Sequence, residues 1–209
     1  MQYTIEDLIQ RYPVLASSKD QIEAAYAVLK ACYQNGGKLL VCGNGGSCAD
    51  ADHIVGELMK GFKKKRTVPQ SKAANLLRQK DGQLLCDELQ EGFPAIALHN
   101  HAGLNTAFAN DVPHGAELVY AQQVNVLGKP GDVFLGISTS GNARNVSLGA
   151  QCAKALGLKV LGLTGRSGGE LKQIADMTIA VDESETFKVQ ELHLPIYHYL
   201  CLRLEEEFF

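Results

Sequence analysis

Lys38-Leu39-Leu40-Val41-Cys42-Gly43-Asn44-Gly45-Gly46-Ser47 is the stretch on which the fold turns. Four apolar residues in a row show no polar alternation, which predicts a short strand buried on both faces. The Gly/Asn/Ser run ends that strand. Apolar residues at helical spacing then continue to about residue 62, so the turn opens a helix. The same unit recurs at Asp132-Val133-Phe134-Leu135-Gly136-Ile137, followed by Ser138-Thr139-Ser140-Gly141-Asn142 and a helical segment near 142–156. Further strands fit 95–98, 159–163 and 177–181, with helices near 113–127 and 187–207. Residues 4–34 read as helical with a break near Pro13 and Ser17-Ser18; Ser18 or Asp20 would cap the second helix, and Gly36-Gly37 ends it. Continuous apolar strands divided by helices predict one α/β domain over 1–209. Its five-stranded parallel sheet lies between two helical layers, with N-terminal helices over 1–36 and right-handed crossovers.

With 209 residues, 45% of them hydrophobic, the chain can bury a sizeable core. A net charge of -3 gives no basic excess for nucleic acid, and no apolar run approaches the roughly 20 residues of a membrane span. The acidic start, Met1 to Asp7, lacks a signal-peptide pattern. Cys32, Cys42, Cys48, Cys86, Cys152 and Cys201 form no C-x-x-C pair, and most sit in apolar segments. These features predict a reduced, cytoplasmic chain. Residues 63–93 break the pattern. They open with Lys63-Lys64-Lys65-Arg66 and stay polar, with weak helical periodicity near 73–78 and 83–89, which predicts a solvated surface excursion or helical pair.

Both glycine turns fall where open parallel sheets bind ligands, outside the carboxyl ends of strands. There a helix N-terminus offers free N–H groups and partial positive charge to an anion. Gly45 and Gly46 allow close approach, and the hydroxyls of Ser47, Ser138, Thr139 and Ser140 add donors. The third turn, Thr164-Gly165-Arg166-Ser167-Gly168-Gly169, reads as a plain turn. Neither anion loop is a Walker A motif, which disfavours nucleotide hydrolysis, and a dinucleotide fingerprint is absent.

His53 and Glu57 stand four apart, on one helix face, and could form half of a zinc site. The C-terminal helix offers Gln190, Glu191, His193 and His198 among strongly apolar positions. Such groups need partners if buried. Gln190 and His198 are eight residues apart, about 12 Å along a straight helix. They could share one metal through a kink at Pro195, through a non-helical start, or through different subunits.

Gly43-Asn44-Gly45-Gly46-Ser47, Asp50, His53, Glu57, Asn110-Asp111, Ile137 to Asn142, Leu163-Thr164-Gly165, Val189 to His193 and His198, taken in order, resemble the bacterial phosphoheptose isomerases. The resemblance covers nearly the whole chain. It implies the three-layer SIS fold, a homotetramer with active sites between subunits, and a sugar-phosphate substrate. It implies that Asn44, Gly45, Gly46, Ser47, Asn110, Asp111, Ser138, Thr139, Ser140 and Gln190 hold that substrate. It further implies one zinc per subunit on His53, Glu57, Gln190 and His198, with Glu57 and His198 as the acid–base pair. The implied reaction converts sedoheptulose 7-phosphate to an aldoheptose 7-phosphate, D-glycero-D-manno-heptose 7-phosphate.

Three features differ from the family pattern: Ala143 replaces a third loop serine, Gly61 replaces an arginine four residues beyond Glu57, and the 63–93 excursion is longer. The competing reading is a non-catalytic SIS protein, either a sugar-phosphate sensor or an adaptor for a replication initiator. The retained His53/Glu57/Gln190/His198 set favours catalysis.

Overall fold

The computed structural model describes residues 3–209. Five strands form: β1 (Leu39–Cys42), β2 (Ala95–Ala97), β3 (Val133–Ser138), β4 (Lys159–Thr164) and β5 (Met177–Ala180). They pair in the order β2-β1-β3-β4-β5, parallel throughout. The unbroken apolar runs are explained by burial on both faces. Leu39, Val41, Leu135 and Ile137 enter one core with α1 (Ile5–Arg11), α2 (Lys19–Gln34), α3 (Gly46–Met59) and the C-terminal helix. Leu40, Cys42, Phe134 and Val160 alternate into a second core on the opposite face.

Two short helices, α4 (Gln70–Leu76) and α5 (Gly82–Glu88), lie in the 63–93 segment. α6 (Ala102–Asp111) and α7 (Gly115–Leu127) follow β2, α8 (Arg144–Ala155) follows β3, α9 (Gly169–Ile174) follows β4, and α10 (Thr186–Phe208) ends the chain. The sequence reading missed α6 because that helix buries no residue and so carries no apolar stripe. A 3₁₀ turn, Pro13–Ser18, makes the expected break after α1. Ser18 precedes α2 but gives it no side-chain cap; its hydroxyl instead donates to the Ala180 carbonyl at 3.0 Å.

Two expectations need correction. The basic run does not face solvent throughout: Lys63, Lys64 and Lys65 are exposed, whereas Arg66 is 1% exposed. Its guanidinium meets a carboxylate, Glu205 on α10, 2.9 Å from Arg66 Nε in the interior. The second concerns Gln190, which lies within α10 rather than in a non-helical start, because α10 runs unbroken from Thr186 through Pro195.

The sheet order also locates a crevice. From β1 the chain moves to β2 on one side, and from β3 to β4 on the other. Winding therefore reverses between the carboxyl ends of β1 and β3, where a doubly wound sheet leaves room for a ligand.

Candidate active site

A cavity of about 260 Å³ occupies that crevice, lined by Asn44 to Ser47, by Ile137 to Ser140 with Ala143, and by Thr186 and Gln190 of α10. Eight of the ten expected substrate residues, Asn44 to Ser47, Ser138 to Ser140 and Gln190, thus need only two turns and one helix end to meet. Gly45 adopts φ 56°, ψ -123°, a conformation suited to glycine, and thereby turns the chain into α3. A Cβ on Gly46 would sit 2.5 Å from Gln190 Nε2, so this glycine lets α10 close over the turn.

Side chains behind the loops hold them in place. The Asn44 and Asn145 amides exchange hydrogen bonds of 2.8 and 3.0 Å. The Tyr120 hydroxyl donates to the Gly43 carbonyl at 2.7 Å. Asn145 Oδ1 also accepts from Val146 N–H at 3.0 Å, whereas Ala143 gives α8 no side-chain cap. The third turn supports the second loop: Gly165 N–H donates to the Thr139 carbonyl at 2.9 Å and Ser167 Oγ to the Ser140 carbonyl at 3.3 Å. Asn110 and Asp111 do not line the cavity; they bond to each other at 2.8 Å on the exposed end of α6.

Further along α3, a cluster of side chains forms. His53 Nε2 lies 3.4 Å from Glu57 Oε1 and 3.3 Å from His198 Nε2. His53 Nδ1 lies 3.0 Å from the Tyr197 hydroxyl, which donates to Asp50 Oδ1 at 3.1 Å. Burial and the nearby His53 push the His198 imidazole below its ordinary value, against the pull of Glu57. Burial raises the Asp50 carboxyl, partly offset by its Tyr197 bond and by His53. His198 also borders a second cavity of about 220 Å³ with Phe62 and Lys63.

Lys60 Nζ sits 3.2 Å from Glu57 Oε2, so the cation beside this carboxylate comes from residue 60. Residue 61 has no room for one. A Cβ there would lie 2.2 Å from the Lys64 carbonyl oxygen, and the Gly61 N–H donates to Gln90 Oε1 at 2.7 Å. The base of the 63–93 segment thus folds onto the end of α3. Arg66 donates to the carbonyls of Leu58 and Glu57 at 2.8 and 3.2 Å. Glu205 holds Arg66 and accepts N–H bonds from Phe62, Lys63 and Lys64.

Among the described residues, no group of three or more His, Cys, Asp and Glu is placed so that it could hold a metal ion. The two pair distances at His53 Nε2 are nonetheless close to a tetrahedral ligand–ligand edge, about 3.3 Å for zinc bonds of about 2.0–2.1 Å. His53, Glu57 and His198 are donor types that zinc takes, but in this structure only the two pairs at His53 are close, so the three do not form a site together. Gln190 stands about two turns from His198 along α10 and lines the cavity.

Sequence reasoning missed Tyr120, Asn145, Tyr197 and the Arg66–Glu205 pair. A tyrosine in an apolar helix face announces that its hydroxyl needs a partner, but not which one.

The SIS domain family profile matches residues 4–103 and 90–165. The phosphoheptose isomerase of Helicobacter pylori (strain P12) is 36% identical over 213 residues, covering 98% of this chain and 97% of its own. A probable phosphoheptose isomerase of Thermoplasma acidophilum is 39% identical over 180 residues, 86% of this chain and 85% of its own. The solved phosphoheptose isomerase of Francisella tularensis matches with a TM-score of 0.77 at 30% identity, over 96% of this chain and 94% of that one. That of Neisseria gonorrhoeae matches with a TM-score of 0.68 at 32% identity, over 87% and 84%. On sequence and fold together, this chain belongs to the phosphoheptose isomerases of the SIS domain family.

Proposed function

We propose that this protein interconverts sedoheptulose 7-phosphate and the aldoheptose 7-phosphate, with the phosphate in the loop cavity and the first two carbons at the His53–Glu57–His198 cluster. The observation that carries this reading is a distance. α3 and α10 touch at Gly46 and Gln190, and touch again at His53 and His198. Seven residues separate the contacts on α3 and eight on α10, or about 10–12 Å at 1.5 Å per residue. An extended chain advances about 1.2 Å per bond, so C1 of a seven-carbon 7-phosphate lies about 10 Å from phosphorus. Shorter sugar phosphates fall short by about 1.2 Å per missing carbon.

The chemistry follows from the groups at each end. Hydroxyls and helix N-termini hold the phosphate. Glu57 takes the proton from C1 and returns it to C2 of the enediol. In the same ketose-to-aldose direction, His198 carries the hydroxyl proton from O1 to O2, so that C1 becomes the carbonyl and C2 the alcohol. No external oxidant is needed, since the two carbons exchange oxidation state. Zinc, where bound, would be held by His53, Glu57 and His198, and would polarise the carbonyl. Gln190 then serves the substrate.

We extend the proposal to a homotetramer with active sites between subunits, tested by light scattering on the purified protein. The six free cysteines suit a reducing cytoplasm, and no described helix is long and apolar enough to cross a membrane. The deciding assay offers ketose phosphates of five, six and seven carbons, with and without zinc. Aldoheptose phosphate should form at least tenfold faster than the shorter products. Binding without turnover supports a sensor instead, and capture of a replication initiator without sugar-phosphate binding supports an adaptor.

A further inference from the structure

We infer that Tyr197 and Asp50 are positioning residues that fix His53 in its Nδ1–H tautomer, so that its Nε2 lone pair points at Glu57 and His198. The proposed isomerase reading supplies the use of that lone pair; the tautomer follows from a chain of hydrogen bonds whose direction is fixed at one end.

A carboxylate can only accept, so the Tyr197 hydroxyl spends its single proton on Asp50 Oδ1, 3.1 Å away. The phenolic oxygen then has only lone pairs left for His53 Nδ1 at 3.0 Å, and His53 must be the donor. A neutral imidazole that donates at Nδ1 has a bare Nε2. That atom is the one 3.4 Å from Glu57 Oε1 and 3.3 Å from His198 Nε2. Glu57 Oε1 and this Nε2 are then both acceptors and need a positive group between or beside them: His198 can present N–H to Nε2, or a bound cation can take the Nε2 and Oε1 lone pairs together. The opposite tautomer would leave the Tyr197 oxygen and His53 Nδ1 facing each other with no proton between them.

The surroundings hold this chain rigid. Tyr197 is 2% exposed and stands on α10 beside His198, while Asp50 and His53 stand three apart on α3. The His53 and Tyr197 rings meet edge-on, with centroids 5.4 Å apart. The relay thus crosses between the two helices that carry the acid–base pair. Outer partners of this kind orient an imidazole, and their loss typically costs about 10–100-fold in activity or metal affinity.

The test is long-range ¹H–¹⁵N spectroscopy of the full chain with ¹⁵N-labelled imidazoles, at pH 8 with chelator, His53 being assigned from a His53→Gln variant. The wild type should show a protonated Nδ1 and a bare Nε2. Tyr197→Phe keeps the ring packing and should shift His53 toward Nε2–H. It should also lower kcat about 10–100-fold with KM within about twofold. Asp50→Asn, which lets the chain reverse, should do the same without altering the tyrosine. An Nε2–H tautomer in the wild type, or an unchanged tautomer in both variants, overturns the inference. A wild type with the expected tautomer but no turnover of any ketose phosphate overturns the isomerase reading and leaves this one standing.

Discussion

The anion cavity and the imidazole cluster sit at successive contacts of the same two helices, yet they are built by different means. The cavity is made of two turns and the helix ends beside them at the switch point of the sheet. The cluster is made of side-chain tips that rely on second and third partners: Tyr197 and Asp50 behind His53, Lys60 beside Glu57, and Arg66 with Glu205 behind the end of α3. The sheet fixes the first at once, whereas the second depends on helices being tied together from outside the sheet. Substrate affinity should therefore follow the loops, and turnover should follow the ties.

Glu57→Gln breaks the comparison at its most sensitive point. It removes the proposed base and leaves the cavity intact, so kcat should fall about 10²–10⁴-fold while KM stays within a few fold. Steady-state kinetics check it, and a rise in KM alone would place Glu57 at the wrong end.

Arg66→Met strikes a tie. Glu205 would remain buried without its cation, and the carbonyls of Glu57 and Leu58 would lose a donor. A loss of about 3–5 kcal/mol is expected from a broken buried pair, read as a lower urea midpoint.

His193 lies on α10 between the two ends, fully buried, and neither ring nitrogen has a hydrogen-bond partner among the described residues. Burial pushes its imidazole down to about 4 from 6.5. The unfolded chain therefore takes up a proton that the folded chain refuses. Stability should decline as pH falls from 6.5 toward 4, by about 3 kcal/mol at about 1.4 kcal/mol per pH unit. His193→Leu should flatten that part of the denaturation profile.

Gly46→Ala sharpens the comparison from the other side. Its Cβ would press on the Gln190 amide, the movable end of a side chain. KM should rise about tenfold, or about 1.4 kcal/mol, with kcat nearly unchanged.

The same division explains what could be read in the sequence. The apolar run at 38–42 predicts β1, which forms over Leu39–Cys42, and that at 132–137 predicts β3, which forms over Val133–Ser138. Strands and glycine turns are written in local spacing, so sheet and cavity could be read without coordinates. His53 and Glu57 were legible as a pair because four residues make one helical turn. That His198 joins them depends on how α10 packs against α3, which spacing does not encode. Tyr120, Asn145 and Tyr197 are defined by partners 76 or more residues away in the chain. Arg66 was misread because a run of four cations looks solvated until one meets Glu205, 139 residues later. α6 escaped because it has no buried face.

Because residue 61 is pinned under the Lys64 carbonyl and Gln90, a graft or deletion between 63 and 93 should pull on the tip of α3 and spare the proposed phosphate grip. Engineers seeking another sugar head group would find their adjustable rim there, and a handle at the far end that stays the same throughout.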